Sequence, residues 1–527
     1  MKRFLSLGAV LIFAVTACPR VTPPPAEPVL SGRLMRSDLT PKAALTSQEA
    51  PSSLTDQAAR VPGELVVRYR DGRIGLQGVR PAGVRAERVL GSVSVLEVEA
   101  GREDAVQVQL ETDPNIEAVG PNYLYRRLAT PNDPKFADQQ NLGLIGAPAA
   151  WNTQKGAAGV LVAVLDDGYD PDQMDITRRI TLPTPKSGLW LDPANQDNDP
   201  KELSSDTHGA AVASVIAATT DNALGIAGVT WQGVQVIPIK VFPDPTNPNP
   251  PATTATIAGA IDTALDVGAR VINMSFCLIS SSTNLCSSKN DTVIDAALEK
   301  AYKAGAVLVA ASGNDAASAG YVAGSVAYPA LNRYVLAVGS VENSLGRSDF
   351  SDFGPNLDLV APGRNVWVLL GSGVGRESGT SFSSPTVAGV AALLRSNGLT
   401  SPDVINARLL ETAQDLGASG RDDQTGNGLV RADLALSGPD AATGLPVTTT
   451  LSSGGAVVKT VQSSLQPGRS IGAYSIPNLS NGTYTVRVSV DVNKNGREDS
   501  GDLVGQRSVT VTGLPLYGQD VKLDPVP

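Results

Sequence analysis

The sequence predicts an α/β core, a doubly wound parallel β-sheet with helices on both faces, set between a small α+β segment and a β-rich C-terminal segment. Two observations predict it. Through the middle of the chain, short runs rich in Val, Ile and Ala alternate with longer stretches of helical periodicity, the pattern of repeated strand–helix–strand units. At 527 residues the chain is also too long for one domain, and its character changes on either side of that region.

Residues 1–17 read as a secretory signal: Lys2 and Arg3 precede the apolar run Leu5 to Val15. Residues 18–60 are rich in Pro, Ala, Ser and Thr with little periodicity, which predicts a disordered tether. Residues 61–127 carry strand alternation at 64–69, 93–98 and 116–119 and a helical pattern at 104–112. The α/β region, 133–436, has predicted strands at 160–165, 234–241, 271–275, 307–311 and 335–338. Its helices are predicted after His208 and at 256–267, 292–305, 383–396 and 402–413. Residues 437–527 turn to Gly, Ser, Thr and short alternating runs, predicting a small β-sandwich. After the signal no apolar run reaches the ~20 residues that span a bilayer. The formal net charge of −10 argues against a nucleic-acid partner.

The chain has one histidine, His208. Upstream, the apolar run Val162-Ala163-Val164-Leu165 ends in Asp166; downstream, Ser381 stands in Gly379-Thr380-Ser381 before a helical pattern. A serine hydroxyl needs a base to become a nucleophile, and imidazole is the natural one at neutral pH. A buried carboxylate fixes its tautomer and stabilises the imidazolium. Asn314, in Ser312-Gly313-Asn314, is a candidate oxyanion donor. Singly, each residue has a plainer reading: a strand-end turn, a structural histidine, a helix N-cap. In the order Asp, His, Ser they read as catalytic. A lipase or esterase uses the order Ser, Asp, His with Gly-x-Ser-x-Gly, and a binding or adhesion scaffold is expected to have lost one of these groups.

These three segments resemble those of the subtilases, the subtilisin-like serine proteases. So do Asp133-Pro134-Lys135-Phe136, Ile145-Gly146-Ala147-Pro148, Arg270 to Ser275, Tyr328-Pro329-Ala330, Ser351-Asp352-Phe353-Gly354 and Ala361-Pro362-Gly363. The resemblance runs from about residue 133 to 437. It departs at Ala211 and Thr386, where the family often has further histidines, and at Cys277, where it usually has a glycine.

The resemblance implies a serine endopeptidase of protein or peptide substrates with a subtilisin-like fold and no catalytic cofactor. It implies that 61–127 is a propeptide that assists folding and then plugs the cleft, removed by a cut between Tyr125 and Asp133. It points to Ser275 and Gly313 at the substrate cleft, and to a structural calcium held by Asp175 and Asn222. The end of the signal, Val15-Thr16-Ala17-Cys18, resembles a bacterial lipobox, implying lipid on Cys18 and an extracytoplasmic, membrane-anchored protein. Cutting near Tyr125 then frees the catalytic domain unless the pieces stay bound. Export favours a disulfide between Cys277 and Cys286. In the tail, Asp491, Asn493, Asn495, Asp499 and Asp502 fall at positions 1, 3, 5, 9 and 12 of a loop with Gly496 at 6, the spacing of an EF-hand-type calcium loop.

Overall fold

The computed structural model describes residues 29–36, 60–70, 75, 80–99, 101–123, 130–201, 208–243, 251–438, 445–465, 471–477, 479–512, 517 and 519–526. The signal segment, Cys18 and residues 124–129 of the expected cleavage stretch lie outside the described residues. Two compact units form, one within 42–128 and the other from the described parts of 1–41 and 129–527. The first element in chain order is strand β1, Val29–Arg36.

The smaller unit comprises β2 (Arg60–Tyr69), β3 (Val84–Leu90), β4 (Val93–Val98), α1 (Glu103–Glu111) and β5 (Ile116–Tyr123). The strands form an antiparallel sheet in the order β3-β4-β2-β5. Val106 and Leu110 of α1, spaced i and i+4, pack with Leu65, Val67, Leu96, Val98 and Ile116. Strand β3 was not expected. Its Arg85, Glu87 and Arg88 hide the alternation, as suits an edge strand protected by charge.

The larger unit begins with short helices α2 (Gln140–Leu144) and α3 (Ala147–Ala150). Then follow β6 (Leu161–Asp166), α4 (His208–Ala217), β7 (Gln235–Lys240), α5 (Thr254–Asp266) and β8 (Val271–Met274). After these come α6 (Thr292–Lys303), β9 (Val307–Ala311), β10 (Val335–Val341) and β11 (Leu359–Pro362). A hairpin of β12 (Val366–Leu370) and β13 (Gly373–Glu377) leads into α7 (Thr380–Ser396), α8 (Pro402–Glu411) and α9 (Ala432–Ser437).

Strands β6 to β11 form the expected parallel sheet, ordered β11-β10-β9-β8-β6-β7. The chain steps outward from β6 to β7, then returns across β6 to β8 and continues the other way. A crevice opens where the order reverses, beyond the carboxyl ends of β6 and β8, and such crevices hold ligands. Helix α7 is apolar or small on every side, and Thr380 to Leu394 are all buried. It packs across β8, β9, β10 and β11 and against α4, so its first turn is held rigidly over that crevice. Among the described residues no helix is long and apolar enough to cross a membrane.

The tail adds β14 (Leu445–Ser453), β15 (Ala456–Leu465), β16 (Ile471–Pro477), β17 (Gly482–Val490), β18 (Leu503–Val511) and β19 (Val521–Pro525). The expected β-rich domain is present, but its strands join one continuous order, β15-β14-β17-β18-β19-β1-β16, rather than two separate sheets. End strands β15 and β16 approach each other, and the curled sheet encloses Leu30, Val447, Leu451, Tyr474, Ile476, Val486, Val488 and Leu523. A tether running throughout 18–60 therefore does not hold at Val29–Arg36. Those residues are a strand of the tail sheet, because Leu30 fills its core and the backbone pairs on both sides.

The tail sheet rests on the α/β region through α8. Buried Asp403 accepts hydrogen bonds from Ser31 Oγ at 2.7 Å and Tyr302 Oη at 2.7 Å. The Tyr517 ring packs on Gly305, leaving no room there for a Cβ. Arg333 reaches Asp520 at 3.3 Å.

Candidate active site

Asp166, Ser275 and Asn314 follow or end β6, β8 and β9, so three chain segments converge at the carboxyl edge of the sheet. Asp166 is 1% exposed. Its Oδ1 accepts from the Asp167 N–H at 3.0 Å and lies 2.8 Å from His208 Nδ1. A carboxylate can only accept, so the ring proton sits on Nδ1 and Nε2 is left as an acceptor. Among the described residues Asp166 Oδ2 is buried with no hydrogen-bond partner; an uncompensated buried oxygen beside the ring favours a positive imidazole when one forms.

His208 opens α4, and the next residue is glycine for a steric reason. A Cβ on Gly209 would collide with Asp167 Oδ1 and the Gly168 carbonyl. The Gly209 N–H also donates to Asp167 Oδ1 at 2.5 Å, fixing the start of the helix against the β6 turn.

Ser381 lies in the first turn of α7 and is 9% exposed. The neighbouring Phe382 ring sits 5.8 Å from the His208 ring, which brings the serine segment to the imidazole. Ser381 Oγ donates to the Ser275 carbonyl at 3.4 Å. Pro385 stands inside the helix and has no N–H for the carbonyl four residues back, that of Ser381. Ser275 Oγ supplies the missing donor at 3.0 Å, and is itself held by Ser384 Oγ and Asn273 Nδ2. The side chain of Ser275 is thus turned inward and supports the serine turn.

Asn314 is exposed. Its Oδ1 accepts from Thr380 N at 2.9 Å and Thr380 Oγ1 at 3.0 Å. A backbone N–H must face oxygen, so the amide orientation is fixed and Nδ2 is the end left to donate. Asn314 Nδ2, Asn314 Oδ1 and the Ser381 nitrogen lie 3.4, 3.8 and 3.7 Å from the position a Cβ on Gly379 would take, so the amide stands beside the serine turn.

Gly313 is buried with φ +113°, and a Cβ there would collide with Asp352 Oδ2. It is required by this close approach and presents no side chain to substrate. Asp352, given no role from the sequence, underpins the loop: its Oδ1 accepts from Asp315 N at 2.8 Å and its own N–H donates to the Gly313 carbonyl at 3.0 Å. Burial pushes its carboxyl up to about 7, with the Asp315 N–H hydrogen bond and the Arg347 charge opposing and the Asp315 charge adding.

The sign of the resulting pH effect follows from an unfolded value near ~3.9. Below that the proton is bound in both states and the contribution is complete. As pH rises to about 7 the unfolded chain releases the proton while the folded one keeps it, so stability falls. The three-unit difference bounds this loss at about 4 kcal/mol. Asp352→Asn should flatten the decline in urea midpoint between pH 4 and 7, measured in the inactive Ser381→Ala background. An unchanged slope would exclude Asp352 as its source.

Cys277 and Cys286 are joined as a disulfide. The Cys286 N–H donates to Asp315 Oδ2 at 2.5 Å, which ties this loop to the segment carrying Asn314.

The two sets of cation candidates differ. Asp175 Oδ1 accepts from Asn222 Nδ2 at 2.7 Å and Oδ2 from Ile226 N at 2.9 Å. Burial pushes the Asp175 carboxyl up to about 6, and Asp133 adds to it. Asp133, given no role from the sequence, is 4% exposed, is raised by burial, and its Oδ1 has no hydrogen-bond partner among the described residues. Two buried carboxylates and an orphaned oxygen fit a cation.

In the tail, Asp491 to Asp502 form the whole connection of the β17–β18 hairpin. Asn493 Nδ2 and Asn495 Nδ2 donate to Asp499, Gly496 N to Asp491, and Val492 N to buried Asp502. The five oxygen-bearing side chains are gathered in one loop, flanked by strands. Both sets depend on Asn and backbone oxygens: among the described residues no three His, Cys, Asp or Glu side chains cluster as a metal site.

Residues 157–428 match the subtilase family. The chain is 32% identical over 374 residues to the thermophilic serine proteinase of Bacillus sp. (strain AK1), covering 69% of this chain and 85% of that protein. It is 31% identical over 295 residues to thermitase of Thermoactinomyces vulgaris, covering 55% of this chain and 94% of thermitase. A solved protease from Pseudoalteromonas arctica PAMC 21717 aligns at 29% identity over 59% of this chain and 99% of that one, with a TM-score of 0.48. The matched span contains every strand of the parallel sheet and all the converging groups described above, and the chain therefore belongs to the subtilase family and is a serine endopeptidase.

Proposed function

We propose that this chain is an exported endopeptidase, anchored in the extracytoplasmic space by lipid on Cys18, that hydrolyses protein or peptide substrates through Asp166, His208 and Ser381. The observation that carries the catalytic reading is the 2.8 Å contact of the sole histidine with buried Asp166. His208 Nε2 takes the proton from Ser381 Oγ, which attacks the peptide carbonyl. The oxyanion is held by Asn314 Nδ2 and the Ser381 N–H. His208 then protonates the leaving amine, and water resolves the acyl-enzyme by the same route in reverse.

A single histidine allows a test without background. A peptide chloromethyl ketone should inactivate the enzyme by linking Ser381 to His208 once per molecule, as read by mass spectrometry. Activity should fall on the acid side as the ring gains a second proton and stops accepting one. Labelling elsewhere, or retained activity in the labelled protein, would exclude the assignment.

Residues 61–127 act in this reading as an inhibitory propeptide, cut away between Tyr125 and Asp133. Asp133, Asp175 and Asn222 would hold one structural calcium, and Asp491, Asn493, Asn495, Asp499 and Asp502 another; neither takes part in the chemistry. Because β1 completes the tail sheet, a fragment beginning at residue 437 lacks a strand, and the calcium test belongs on the full Ser381→Ala chain. Millimolar calcium should raise its melting temperature, since a ligand at ~100 times its Kd adds about 2.7 kcal/mol. Asp175→Ala and Asp491→Ala should each remove part of the increment. No increment in the parent would exclude both sites.

A further inference from the structure

Strand β1 is internal to the tail sheet. On one side it pairs antiparallel with β16 over seven positions, from Val29↔Pro477 to Met35↔Ile471. On the other it pairs in parallel with β19, from Leu34↔Val521 to Arg36↔Leu523. Among the described strands β16 has no other neighbour in the sheet order, so β1 is its one hydrogen-bonded strand partner there. Leu30 is fully buried in the shared core. Ser31 is fully buried too, with its hydroxyl 2.6 Å from Ser401 Oγ and donating to Asp403 at 2.7 Å. Its carbonyl accepts from Gln519 N at 3.0 Å.

In chain order β1 precedes the propeptide, whereas β16, β19 and α8 follow the stretch between Tyr125 and Asp133. Removing β1 would bare two strand edges and leave buried Ser401 and Asp403 each short of a partner. We propose that residues 29–36 stay in the tail sheet as a non-covalent strand after that cut, so that the processed enzyme remains attached to its own N-terminal segment. The proposal rests on the processing reading above. The recognition is strand addition, in which paired backbone gives affinity and alternate side chains give specificity. One cut then leaves the propeptide linked to the enzyme it inhibits, at high effective concentration. Release of the propeptide requires a second cut, between residues 37 and 59.

The test uses the full chain carrying Ser381→Ala, with the recognition sequence of an unrelated site-specific protease inserted between Ala50 and Pro51. After complete cutting, the fragment ending at Ala50 should co-elute with the remainder at micromolar concentration in native buffer, and separate only in denaturant. A fragment that elutes alone would overturn the proposal. Leu30→Asp, which sets a charge in the core, should lose the fragment after the same cut; its retention would also overturn it. N-terminal sequencing of the wild-type product tests the processing reading separately. Without a cut between Tyr125 and Asp133 that reading fails, while the inserted-site experiment still decides whether β1 is held.

Discussion

Ser381→Ala is expected to lower casein hydrolysis by on the order of 10⁶-fold and to leave a full-length precursor when the protein is made in a host without other proteases. The substitution removes one oxygen and little else. The Ser381 carbonyl keeps its hydrogen bond from Ser275, Thr380 keeps its bonds to Asn314, and alanine is the best helix former for the first turn of α7. The loss is therefore chemical rather than structural, and an unchanged melting temperature should accompany it. A residual rate above that of water is expected from the oxyanion donors and substrate binding alone. Initial rates and a denaturing gel of the precursor check both parts. If the variant still matures, self-processing is wrong; if it still digests casein, the nucleophile is another residue.

Asn314→Ala is expected to lower kcat by about 10²–10³-fold with little change in KM. Asn314 Nδ2 is the end left to donate because its Oδ1 is held by two donors from Thr380. A donor that meets full negative charge only in the transition state contributes to kcat and kcat/KM alike. Steady-state kinetics on a peptide amide distinguish this from a substrate-binding role. A rise in KM at constant kcat would mean that Asn314 binds the ground state, and that the oxyanion is stabilised elsewhere.

The parallel sheet and the three converging segments were legible because each has a local signature. Buried strands read as apolar runs, and Asp166, His208 and Ser381 each sit where such a run ends or a helix begins. Residues whose role depends on what folds against them were not legible. Asp133 and Asp352 stand in segments that resemble the family, but the work each does comes from its burial and its neighbours. Ser275 stands at the right strand end, but the need it meets is created by Pro385, which lies far along the chain. Strand β1 is the extreme case. Its eight residues are a short run without strict alternation, and nothing local announces partners at the opposite end of the sequence.

That pairing has a consequence for the order of events during biosynthesis. Translation and export deliver β1 first and its two flanking strands last. While the catalytic region emerges, a segment with apolar Leu30 and Leu34 waits without its sheet, and contacts of such sequence separation close slowly. The parallel core has mostly local strand–helix–strand connections and can form before the tail exists. The tail domain cannot be finished until the final strand has left the export channel. Misfolding of this protein should therefore concentrate in chains truncated late, near β19, whose active-site region is already folded while the N-terminal strand remains open to pairing with another molecule.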